Sequence, residues 1–212
     1  MKSYTLEVGY TDINQYRQYL GSVLSKATLN IKSGDIVTLG FEFMGKNFSL
    51  LQASSMGTPN ASHAFTPANA TKGVFDIIEG GVTLSATTYI KSADISIDNT
   101  LRAMEAVAVF GLAGVAAGTQ NVTGKMEAYF VDATLHGKFT SGAASSLSIP
   151  IVDNAGNGYV YYFPRIKYTV GKLAVGGQDQ DNMVSLDWQA IPETDVTSPW
   201  LGKSVVIFRV GT

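Results

Sequence analysis

Strict alternation of apolar and polar side chains constrains this chain more than any other feature. From residue 27 to 32 the odd positions, Ala27, Leu29 and Ile31, are apolar and the even ones polar. After Ser33-Gly34-Asp35 the alternation resumes, with Val37, Leu39, Phe41 and Phe43 separated by Thr38, Gly40 and Glu42. A period of two puts one set of side chains on one face of an extended backbone, so each run reads as a half-buried strand. A polar link this short, built on Gly and Asp, joins them as a β-hairpin. The same reasoning predicts strands over 4–8, 82–86, 90–98, 122–132, 147–153, 159–169, 183–190 and 205–210.

Two short helices are expected between the strands. Thr11-Asp12 is a candidate cap for a helix over 12–20, with Ile13, Tyr16, Tyr19 and Leu20 on one face and Gly21 as its stop. Asp132 would likewise cap a helix over 133–140, with Leu135 and Phe139 four residues apart and Gly142 at its end. Neither is long enough to stand alone in water, so each is expected to pack on a sheet. Pro150 and Pro164 fall inside strand patterns and imply an edge or a bulge. The order strand, Asp-capped helix, glycine, strand pair begins at Tyr4 and again near Lys125. SKATLNI and VTLGFEF are echoed by KSADISI and VTGKMEAYF. These echoes suggest a single domain over 1–212 with two related halves, about 1–100 and 101–212. A long insertion over 46–73, rich in Ser, Asn, Ala, Gly and Pro, interrupts the first half. A smaller one over 109–118 interrupts the second.

Chemistry is sparse. The 212 residues include no cysteine, which excludes disulfides, zinc thiolates and a cysteine nucleophile. His63 and His136 have no second ligand near them at metal-binding spacing, and His136 reads as a helix-surface residue. No G-x-S-x-G, Walker A or G-x-G-x-x-G sequence occurs, so neither an enzyme nor a cofactor is expected. Asp179, Asp181 and Asn182 lack the Gly and Glu of a calcium loop and read as a turn before the strand at 183. Residues 153–158 read as another turn. The sequons at Asn47, Asn60, Asn69 and Asn121 follow no apolar leader and read as chance matches. The apolar stretch 106–117 is too short to span a bilayer, and no membrane association is expected. Fifteen basic and seventeen acidic residues leave a net charge of −2, which argues against tight DNA binding.

Several runs in order resemble the major tail tube proteins of long-tailed bacteriophages. They are SYTLE, TDINQY, Gly21, FEFMGK and KSADISIDN, then FVDATLHGKFTSG, VDNAGNGY, FPRIKY, GGQDQDNM and WQA. The resemblance extends from Ser3 to about Ala190, broken over 47–75 and 102–118. Related chains often carry a further segment ahead of the part that begins here at Ser3, so a shorter member, a truncated chain or a processed product are three readings of this N-terminus. The resemblance implies a mainly β fold, a two-sheet β-sandwich or barrel-like tail tube domain with one or two short helices and a long loop. It implies a structural virion protein, made in the host cytoplasm, whose hexameric rings stack into a tube that DNA traverses without tight binding. Its implied partners are itself, a tape measure and a tail terminator. Within that reading the 46–73 loop is the expected self-assembly element. Phe48, Leu50, Leu51, Met56 and Phe65 are too apolar for a solvated linker, and would be buried on a neighbouring ring as the loop orders. The competing expectation is a β-sandwich binding module, carbohydrate-binding or adhesin-like, using Trp188, Trp200 and the aromatic run 159–162 as platforms.

Overall fold

The structure, a computed structural model, describes residues 1–57, 60, 68, 73, 76–84, 88–131, 133–153 and 156–211. The chain is mainly β, with a large antiparallel sheet, a small second sheet and one short helix among the described residues. It divides into two compact units that interleave along the sequence. One comprises 1–27, 40–65 and 97–120; the other comprises 28–39, 66–96 and 121–212.

The first unit is built on β1 (Tyr4–Tyr10) and β2 (Gln15–Lys32), which pair antiparallel across a four-residue turn at 11–14. This corrects the expected helix over 12–20. Asn14 turns the chain with a left-handed φ of 50°, and Gln15 to Leu20 continue as strand. Gly21 does not stop a helix. Its φ of 61° lies within β2, and the Lys46 side chain fills the space beside it. β4 (Asn47–Leu51) pairs along the other side of β2, so the expected 46–73 insertion begins as a strand. β8 (Arg102–Met104) and β9 (Gly114–Ala116) form the small two-stranded sheet of this unit.

The second unit contains the hydrophobic core of the large sheet. β7 (Ile90–Asp98) and β13 (Met183–Ala190) have the expected limits. Around them lie β10 (Asn121–Tyr129), β11 (Ser145–Val152), β12 (Gly158–Ala174) and β14 (Val206–Val210). The expected hairpin holds: β3 (Thr38–Met44) pairs with β2 after a turn closed by the Asp35 amide donating to the Lys32 carbonyl. Of the strand expected over 82–86, β6 (Val82–Thr83) forms the start, and residues 85 and 86 lie outside the described residues; β6 pairs with a second two-residue strand, β5 (Ile78–Glu79). Alternation fixes the core, since Val184, Leu186, Trp188 and Ala190 are all buried on one face of β13. Trp188 lies on the Phe163 ring with centroids 4.9 Å apart. Pro164 sits in a bulge of β12, where the ladder with β11 shifts register between the pairs Leu147–Phe163 and Ser145–Ile166.

The one helix among the described residues, α1 (Thr134–Ser141), matches the expectation for 133–140 and ends at Gly142 with φ 65°. Its expected cap, Asp132, lies outside the described residues, and the N-cap Ala133 makes no side-chain cap. The helix is held through tertiary contacts. Leu135 is buried, Phe139 covers Gly171, and Lys138 is paired with the buried Glu79.

Candidate functional site

In the first unit, β2 is flanked by β1 and β4, and register assigns every side chain of this three-stranded patch to a face. Leu6, Tyr19 and Phe48 form one row, and Val8, Arg17 and Leu50 the next, on the same face, with Tyr10 beyond. The opposite face carries Glu7, Gln18 and Ser49 in one row and Gly9, Tyr16 and Leu51 in the other. The Tyr16 ring lies over Gly9, which is why no Cβ fits there.

The polarity of the two faces is inverted relative to an ordinary surface sheet. The polar face is covered by the chain leaving β4. Ser54, the Ser55 amide and Gln18 all donate to Glu7, and Gln18 also bonds Ser55. These bonds, that from Ser54 foremost, hold the Glu7 carboxyl below the usual carboxylate range. Gln18 is consequently only 7% exposed. On the apolar face, Leu50 is 65% exposed, and Val8, Tyr10 and Phe48 are exposed too. An exposed apolar patch on a protein surface marks an interaction site.

Arg17 lies at the centre of this face. Its guanidinium sits over the Tyr19 ring at 5.0 Å and the Phe48 ring at 4.5 Å, a double cation–π contact. Its Nε is buried and has no hydrogen-bond partner. One edge is bordered by the β8–β9 tip. Phe110 packs against Phe48 with centroids 5.7 Å apart, and the Leu112 amide donates to the Lys46 carbonyl at 2.8 Å. On that tip Val107 is 98% exposed and Ala108 adopts a φ of 63°.

Of the residues singled out from sequence, Phe48 and Leu50 share the exposed face of β4, while Leu51 points to the other side. Met56 is exposed just past the Glu7 contacts, and Phe65 lies outside the described residues. The first three therefore belong to a strand rather than to a loop. Sequence reasoning missed Val8, Arg17 and Tyr19. The alternation of Tyr4, Leu6, Val8 and Tyr10 signalled an apolar strand face, but only pairing register brings Arg17 onto it.

The second unit offers a different surface. A shallow groove of about 500 Å³ is lined by Thr28, Asn30, Asp94, Thr123, Lys125 and Asp187. Lys125 stands opposite Asp187 across the β10–β13 pair and 3.2 Å from Glu127, so charges of both signs alternate. Trp188, one of the expected aromatic platforms, is 2% exposed and is a core residue instead. Trp200 packs between Tyr162 and Phe208. His136 contacts Phe139, His63 lies outside the described residues, and no group of metal-ligating side chains gathers among the described residues. No described helix is long and apolar enough to cross a membrane.

No curated protein matches the chain. Residues 1–190, which include both the inverted sheet and the core strands, match the family model described as phage tail tube protein. That family is structural, and its members assemble with themselves and with other proteins in the virion tail. The chain belongs to the phage tail tube protein family.

Proposed function

We propose that this chain is the repeating subunit of a hollow tail tube, built as hexameric rings stacked along an axis, through which DNA passes. The observation that supports this most directly is the exposed apolar face of β1, β2 and β4, which suits a chain that completes its burial against copies of itself. Continuous strand edges support it further, since a ring is closed by heterologous contacts that strand pairing can supply. The mixed-sign groove and the net charge of −2 suit passage of DNA without retention. In this reading the subunit has no catalytic activity, is made in the host cytoplasm, meets a tape measure and a tail terminator during assembly, and forms a β-sandwich within the ring. Negative-stain microscopy of the purified chain over a range of concentrations tests it. Six-fold rings or tubes are expected, and a monomer at every concentration would refute it.

A further inference from the structure

Resting on the tube reading, we infer that a second copy of this chain covers the β1–β2–β4 face and brings a carboxylate to Arg17. The face has two features that must be satisfied together. Its apolar side chains, Val8, Phe48 and Leu50 among them, are open to water although β1 and β4 are both paired with β2. Its cation is held in place by two aromatic rings, with Nε already sealed from water and unbonded. Covering the face with a purely apolar surface would bury the rest of the guanidinium without an acceptor, a strongly unfavourable change. An occupant must therefore combine apolar contact with an anionic acceptor, and a carboxylate matches the planar fork of arginine.

The charge pattern of the chain identifies a second copy as that occupant. Its seventeen acidic residues exceed its fifteen basic ones. No described carboxylate of the same chain pairs with Arg17. In a tube of identical subunits each chain meets copies of itself, so an exposed acid at such a contact supplies the missing anion in trans. A nucleic-acid phosphate would supply the charge, but Val8 and Leu50 beside Arg17 give a sugar–phosphate backbone nothing polar to meet.

The test uses the full chain with Leu50 replaced by the photo-crosslinking residue p-benzoylphenylalanine. Irradiation of assembled material should give a covalent dimer joined to an Asp- or Glu-containing peptide of the second copy, identified by mass spectrometry. Arg17→Glu should raise the concentration needed for assembly by about tenfold or more. Changing the identified acid to Arg in that background should restore assembly. Tubes of the Leu50-substituted chain whose crosslinks stay within one chain, or reach DNA or another tail protein, would overturn the contact while leaving the tube reading intact. Arg17→Glu chains that assemble like wild type would do the same. A wild-type chain that stays monomeric overturns both. If Arg17→Glu fails to fold by circular dichroism, the crosslink alone decides.

Discussion

Glu79 is 2% exposed, yet it accepts from Lys138 of α1 and, at 3.3 Å, from the Tyr168 hydroxyl. A lone buried carboxylate would be strongly unfavourable, so the lysine and the phenol are what make its burial tolerable. The helix is thereby fixed to the sheet by a polar contact that α1, with no side-chain cap, needs. Burial, followed by the Glu79 charge and the bond to it, raises the Tyr168 phenol far above its ordinary value of 10.0. Burial, then the neighbouring Tyr159, raises Tyr161 as well. Both phenols are thus held neutral in the folded state. Their stabilising contribution is complete below the unfolded pKa near 10 and is lost as the pH rises above it. The denaturant midpoint should fall as the pH rises from about 10 to about 12, and Tyr168→Phe should flatten that fall. An unchanged slope in the variant would show that Tyr168 does not carry the effect.

At the scale of elements, β10 and β13 depend on one small residue. A Cβ on Gly124 would overlap the Trp188 ring and approach the Asp94 carbonyl to 2.8 Å. Overpacking a rigid core site of this kind costs about 1–3 kcal/mol. Gly124→Ala should therefore lower the unfolding free energy by that amount in urea titration, whereas the same change at Gly137, where a Cβ meets nothing, should not. The strands that sequence located well, β7 and β13, each bury one face and leave the other polar, which is the condition under which alternation survives. The first half of β2 lacks that contrast. Tyr16 and Tyr19 point to opposite faces, and both faces carry apolar side chains, so a spacing of three imitated a helix. β4 was hidden by its length of five residues and its Ser- and Asn-rich surroundings. Phe48 and Leu50 were legible as apolar residues out of place. Arg17 was not, because its position depends on two pairings that no local pattern encodes.

For the molecule as a whole, inversion of the β1–β2–β4 sheet separates what folds the subunit from what joins it to others. Leu50 is largely solvated in the single chain, and substitutions at such positions usually alter stability by no more than about 0.5 kcal/mol. On a covered face the same substitution would bury an unpaired charge. Leu50→Glu should accordingly leave the thermal midpoint nearly unchanged while sedimentation shows loss of large assemblies. A matching loss of thermal stability would place Leu50 in the fold instead.

The polar row behind that sheet, with Gln18 buried at its centre, has a consequence for how substitutions are tolerated. Gln18 and Glu7 support the fold from one side, while Val8, Arg17 and Leu50 face outward from the same strands. A library of variants selected only for intracellular abundance would reject changes at Gln18 and accept them at Leu50. Selected for infectious particles, it would reject both. The positions tolerant under the first selection and intolerant under the second would outline the contact surface residue by residue, with neighbouring positions along β2 alternating between the two classes.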